Sequence, residues 1–368
     1  MSEQLKHTAL YDLHVSREAR MVPFAGYAMP LHYGAGIMAE HLHTRASAGL
    51  FDVSHMGQVR LHGADAAVKL ETLVPGDIVG LKPGRQRYTV LTNERGGVRD
   101  DLMVSHAGDH LLAVVNAACK RDDLAHLQKV LGLDALLDEE RALLALQGPR
   151  AAEVLVKHAP DVADMRFMDA RSCRIDGKPA FVTRSGYTGE DGFELSLEQA
   201  DALGVAELLL NDEAVLPVGL GARDSLRLEA GLCLYGQDLD ATTTPIEADI
   251  AFAVGKARRP GGSRAGGYPG AEVISAQILE GVSRKRVGLQ PLGRAPVRAG
   301  ARLHDGDGVE LGVVTSGVFG PSVGGPVAMG YVSAEAAKLG AEIFADVRGK
   351  ALPVRIGPPA AISTNYAR

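Results

Sequence analysis

Two adjacent aspartates, Asp100 and Asp101, stand where the glycine turn of GGVRDDL (residues 96–102) runs into an apolar stretch. Neighbouring residues of a strand point to opposite faces, so only one of the pair can face a given pocket. A carboxylate half-buried beside a ligand amine can accept its hydrogen bond, steer its lone pair or take its proton. The structural alternative is a turn-capping pair, because Asp readily bonds nearby backbone N–H groups.

Three further segments concentrate unusual residues. In SGYTGEDGFE (185–194) three glycines free the backbone around Tyr187, and the acids Glu190, Asp191 and Glu194 follow. The spacing fits neither glycine-rich phosphate loop, and acidic acceptors suit a ligand rich in N–H donors, such as an aminopterin ring. A bulged hairpin is the structural alternative. In GLGARDSLRLEA (219–230) Arg223 and Arg227, four apart, share a helix face and could grip a carboxylate or phosphate. The alternative is a solvated charged face with Asp224 and Glu229 as partners. In FDVSHM (51–56) Ser54 and His55 suggest a hydrolase triad, but no nucleophile elbow accompanies them and adjacent strand residues point apart. His41, His43 and His55 lack a diagnostic ligand spacing or a thiolate cluster, so no metal is expected.

The elements that must position these residues alternate between strand and helix. Residues 51–63 alternate apolar and polar in part, as one half-buried strand. Residues 64–73 follow at helical spacing, and strands are expected at 86–92, 102–105 and 110–115. The spacing predicts a helix over 122–131, a strand at 142–146 and a helix at 151–158. Strands and helices mix without regular βαβ repetition, which points to α+β domains. Residues 256–269 hold four glycines, two prolines and four basic residues and read as an exposed loop. A short helix (271–279) then gives way to strands at 286–289, 301–303, 312–315, 327–331, 343–347 and 352–356. Such spacing, with Gly-rich turns, predicts a small antiparallel C-terminal β-barrel.

Composition narrows the function classes. Of 368 residues, 46% are hydrophobic and 23% charged, which is ordinary for a globular chain with more than one core. A net charge of −6 gives no global field for nucleic acid. Cys119, Cys173 and Cys233 are too scattered for a disulfide framework and fit a reducing compartment. No apolar run is long enough to cross a membrane, and the N-terminal MSEQLKHTALYDLH has no signal-like core. A cytoplasmic protein is expected.

The stretch MVPFAGYAMP (21–30), FDVSHMG, GGVRDDL, LQGP (146–149), SGYTGEDGFEL, GLGARDSLRLEAGLCLYGQDLD, TSG (315–317) and TNY (364–366) occur in the order found in the T-protein (aminomethyltransferase) family of the glycine cleavage system. The chain resembles that family from about residue 8 onward. The resemblance implies an α+β, three-domain cloverleaf around a central folate pocket, with residues 1–260 forming two interleaved domains, 261–283 a linker and short helix, and 284–368 the barrel. It implies that aminomethyl-dihydrolipoyl H-protein and tetrahydrofolate become 5,10-methylenetetrahydrofolate, ammonia and dihydrolipoyl H-protein. The partners so implied are a lipoylated H-protein and tetrahydrofolate, with neither nucleic acid nor membrane.

Residue by residue, Asp101 matches the family's essential carboxylate. Met56, Tyr88 and Tyr187 resemble residues that line the folate, and Glu194 one that accepts from the pterin N–H groups. Arg223 matches a basic residue of the substrate site, and Tyr366 a tyrosine that closes over it. Two basic clusters, Arg258, Arg259 and Arg264 and then Arg284, Lys285 and Arg286, could offer an acidic carrier a docking surface. The chain departs from many relatives in carrying Tyr27 and Phe252 where tryptophan is common. The runner-up is a folate-dependent demethylase of the same superfamily acting on a small free substrate. A non-catalytic folate-binding regulator would carry a KGCYxGQE-type signature, which this chain lacks.

Overall fold

A computed structural model describes residues 4–368; residues 1–3, which begin the N-terminal stretch read above, lie outside it. Two large sheets and a two-stranded hairpin, Arg20–Phe24 with Tyr27–His32, share the first two thirds of the chain. The larger orders Ala170–Ile175, Lys178–Thr183, Gly192–Glu198, Arg141–Gln147, Ala48–Asp52 and Val215–Pro217. Only its last pair is parallel. The smaller orders Gln86–Thr92, Val98–His106, Leu111–Val115, Gly57–Leu61 and Ala135–Leu137, all antiparallel. The chain therefore crosses between sheets after Asp52 and returns after Leu137.

Burial explains where each strand sits. Every residue of Ala48–Asp52 is buried, as an interior strand covered on both faces must be. Ala48 and Leu50 face a core with Leu144, Leu146, Phe193 and Leu195, backed by helices Ala151–Val156 and Gln199–Leu210. Phe51 points the other way and packs with Ala222 and Leu226 of helix Leu220–Glu229. The smaller sheet buries Val59, Leu61, Leu102 and Val104 under helices Ala66–Glu71 and Lys120–Leu131.

The third lobe is a closed six-stranded antiparallel barrel in the order Arg284–Pro291, Gly325–Ser333, Glu310–Gly320, Arg302–His304, Glu342–Val347 and Lys350–Gly357. Val287, Leu303, Val314, Val332, Ala345 and Val354 fill it. Two lobes of mixed helix and sheet and this all-strand barrel form the expected cloverleaf. The helix read at 271–279 is present as Ala271–Glu280.

The single strand expected over 51–63 is two strands in different sheets, Ala48–Asp52 and Gly57–Leu61. The buried Asp52 carboxylate accepts from the Ser54 N–H at 2.9 Å, and the Met56 N–H donates to the Val53 carbonyl at 3.0 Å. These bonds turn the backbone out of one sheet and into the other, a change that a period-two pattern does not register.

Candidate functional site

Strand Val98–His106 carries both aspartates. Val98, Asp100, Leu102 and Val104 are buried on one face, while Asp101 and Met103 stand on the other and stay partly open. Asp101 Oδ2 accepts from the Tyr88 hydroxyl at 3.0 Å, and Oδ1 accepts from Asn116 Nδ2 at 2.7 Å. The same Asn116 amide donates to Asp100 Oδ1 at 2.8 Å, and the Asn116 backbone N–H to Asp100 Oδ2 at 3.0 Å. Strand alternation thus separates the two carboxylates as expected, and a single Asn side chain, to which the sequence reading assigned no role, ties them together.

The opposite wall is the loop that precedes strand Gly192–Glu198. Gln147, at the end of its own strand, anchors that loop. Its Nε2 donates to the Ser185 carbonyl at 2.9 Å, and its Oε1 accepts from the Thr188 hydroxyl at 2.9 Å. A Cβ at Gly186 would collide with the Gln147 side chain, so glycine is required at that close approach. The antiparallel pairing Thr183↔Glu194 makes the segment a long-looped hairpin. Glu194 Oε2 accepts from the Ser185 hydroxyl at 3.3 Å, and the Tyr187 hydroxyl donates to the Cys233 carbonyl. The Arg223 guanidinium lies over the Tyr187 ring, 4.7 Å from its centroid, and Arg223 Nη1 is buried without a hydrogen-bond partner among the described residues.

Electrostatics connects these walls. Burial, then the neighbouring Asp100 charge, pushes Asp101 up to about 7, against the stabilising bonds from Tyr88 and Asn116. Burial raises Glu194, and Arg223 pulls it back. Burial lowers Arg223, with Tyr187 and Glu194 opposing. Tyr88 and Tyr187 are both raised by burial, and the Asp101 charge adds to each shift. Asp101, Tyr88, Tyr187, Glu194 and Arg223 therefore share one field, and each keeps part of its surface open. Together they bring flat aromatic surface, carboxylate acceptors and one unsatisfied donor into a single partly open neighbourhood.

Met56 follows the turn at Ser54 and packs partly buried against Phe51 and Val53. Tyr366 stands apart. It stacks on Phe167 at 4.2 Å, while its neighbour Asn365 donates to the Gly189 carbonyl (2.8 Å) and to Glu190 Oε2 (3.0 Å). The tail thus rests on the outer side of the Tyr187 loop.

Arg227 does not share a ligand-facing surface with Arg223. It is buried and bonded to Asp238 (2.5 Å), Asp224 (2.9 Å) and Ser316 (2.9 Å), which ties the helix to the barrel. The basic clusters are also engaged internally. Arg258 is buried on Glu71 at 2.8 Å, Arg259 donates to the Val254 and Ala251 carbonyls, and Arg264 reaches Glu71 and Asp77. Arg284 binds Glu247, Lys285 binds Asp249, and buried Arg286 donates to the Ala248 carbonyl. His41 bonds Ser225, Glu229 and Ser322. Among the described residues no group of three or more His, Cys, Asp or Glu is arranged to hold a metal ion, and no helix is long and apolar enough to cross a membrane.

Comparison with known proteins converges on one family. Residues 10–258 match the GCVT N-terminal domain, and residues 284–361 match the glycine cleavage T-protein C-terminal barrel domain. The mitochondrial aminomethyltransferase of Solanum tuberosum is 46% identical over 358 residues, covering 94% of this chain and 87% of its own. That of Gallus gallus is 45% identical over 374 residues, covering 99% and 94%. The crystal structure of the glycine cleavage system aminomethyltransferase T from Bartonella henselae superposes with a TM-score of 0.91 at 44% identity, covering 99% of this chain and all of that one. Curated relatives 41–46% identical across nearly the whole chain are named as mitochondrial, which overturns the expectation of a cytoplasmic protein. Scattered free thiols report only a reducing aqueous space, a property that cytosol and mitochondrial matrix share.

Proposed function

This chain belongs to the glycine cleavage T-protein family, an aminomethyltransferase family, and on that premise we propose that its recess takes tetrahydrofolate as acceptor and a lipoylated H-protein as donor. The observation that carries the reading is Asp101, a partly open carboxylate held near neutrality on one wall, with the partnerless Arg223 donor on the other. The lining fits a reduced folate. Tyr88, Tyr187 and Met56 offer surface to flat rings, Glu194 accepts from pterin N–H groups, and Arg223 presents an unpaired donor to an acceptor on the ligand.

Bound tetrahydrofolate supplies the amine nitrogens that take the one-carbon unit. As the carbon's bonds to the carrier's sulfur and to the amine break, the two folate nitrogens bond it and each sheds a proton, one ending on the released ammonia and one on the dihydrolipoyl thiol. Asp101 is the base that takes up such a proton and passes it on, its affinity for protons close to the working pH. Tyr88 and Asn116 hold its two oxygens in place. Tyr366 closes the outer edge, stacked on Phe167 while its neighbour Asn365 fixes the tail against the Tyr187 loop. Residues 1–260 build the recess, 261–283 link, and 284–368 brace it through Arg227 and Ser316.

Purified protein supplied with aminomethylated H-protein and tetrahydrofolate should release ammonia and form 5,10-methylenetetrahydrofolate. Turnover of a small methylated amine without any lipoylated carrier would instead establish the demethylase reading, which the relatives' names do not favour.

A further inference from the structure

Behind Asp101 lies a second buried carboxyl to which the reaction as described gives no role. Asp123, in the first turn of helix Lys120–Leu131, is 3% exposed, its Oδ2 has no partner among the described residues, and its carboxyl meets that of Asp100. Asp100 is fully buried, and its oxygens already accept two bonds from Asn116, the residue that also holds Asp101. Two carboxyls in contact in a buried site cannot both be ionised. The groups facing the pair are Cys119, whose thiol burial pushes far up, Arg99, Asp122 and Tyr235. Of these only Arg99 is a cation.

We propose that Asp123 is a positioning residue for transfer: it shares one proton with Asp100, donating it into their contact, and so keeps Asp100 anionic and fixed beside Asp101. The inference rests on the assignment of Asp101 as the base. Asp123 touches no reacting atom. Its effect runs through Asp100, whose negative charge raises the proton affinity of Asp101. Burial pushes Asp123 above the carboxylate range, with the Asp100 charge adding to it, which agrees with Asp123 carrying the shared proton.

The test is a pH titration of protein labelled with carboxyl-13C aspartate, followed by NMR, with the Asp101 signal assigned by its loss in Asp101→Asn. In Asp100→Asn the negative neighbour is gone, and the Asp101 midpoint should fall by about one pH unit. In Asp123→Ala, Asp100 loses its donor and takes up a proton itself, so the same fall is expected. In Asp123→Asn an amide replaces the protonated carboxyl as donor, and the midpoint should stay where the wild type has it. An unmoved midpoint in Asp100→Asn, or a fall in Asp123→Asn equal to that in Asp123→Ala, overturns the proposal. If Asp123→Ala fails to fold, Asp123→Leu, close in size and without a donor, takes its place and should show the same fall; an unmoved midpoint in the donor-less variant overturns the proposal. The titration reads protons whether or not the protein transfers, so a wild type that forms no methylenetetrahydrofolate would count against the functional reading alone.

Discussion

Tyr88 and Asp101 lie on adjacent antiparallel strands, two residues apart in register, with the phenol hydroxyl donating to Asp101 Oδ2 across 3.0 Å. A donor to a carboxylate favours its charged form, so this bond lowers the proton affinity that burial raises. Tyr88→Phe should therefore move the acid limb of the pH–rate profile, set near 7 in the wild type, to higher pH. A limb that stays put would mean that the bond is absent in solution.

Asp101→Asn keeps the size of the side chain and removes its basicity. Aminomethyl transfer should fall by roughly 10²–10⁴-fold, the usual contribution of a placed acid–base group, with folate affinity changed far less. Single-turnover kinetics beside equilibrium folate titration separates the two quantities. A stronger defect in Asp100→Asn would move the base by one residue.

The same substitution has a stability consequence of definite sign. A carboxyl that titrates at about 7 when folded and near 3.8 when unfolded binds more protons in the folded state between those values. Stability therefore falls as pH rises through that window and stays lower above it. Asp101→Asn should be more stable than wild type at pH 8 by on the order of 1–4 kcal/mol, and the two should converge below pH 4. Urea unfolding at both pH values measures it.

Glu194 accepts from the Ser185 hydroxyl and shares the field of Arg223, and the proposed function makes it the acceptor for the pterin N–H groups. Glu194→Gln should weaken tetrahydrofolate binding by about 1.5–3 kcal/mol, the scale of a hydrogen bond to a charged group. Unchanged affinity would leave the segment as a structural hairpin and nothing more.

Arg258 pairs with Glu71 where both side chains are buried. Removing one partner leaves an uncompensated charge, so Arg258→Ala should cost about 3–5 kcal/mol of stability. At a temperature where the variant remains folded, its Michaelis constant for H-protein should match the wild type. A raised constant with undiminished stability would return this cluster to a docking role.

Much of the barrel was legible because turn residues punctuate its short apolar runs, as at residues 305–308 and 320–325, although strands such as Glu310–Gly320 and Gly325–Ser333 run longer than those runs. Asp101, Tyr187 and Glu194 were legible because they sit in unusual local sequence. Asn116 was not: it follows an ordinary apolar strand, and its meaning arises only when Leu111–Val115 pairs with Val98–His106. Arg227 was misread for the same reason. Helical spacing placed it beside Arg223, but its partners Asp238 and Ser316 come from distant segments. The break at Ser54 was hidden because the Asp52 carboxylate, not a glycine or proline, turns the chain.

The two crossings between sheets also bear on synthesis. Ala48–Asp52 emerges early, yet its neighbours on either side, Arg141–Gln147 and Val215–Pro217, come much later. Until then the strand has two unpaired edges and apolar side chains that nothing covers, which is the template on which partly made chains aggregate. Neither sheet can be finished before the other is begun, so a growing chain passes through a long interval in which that strand waits for both of its neighbours.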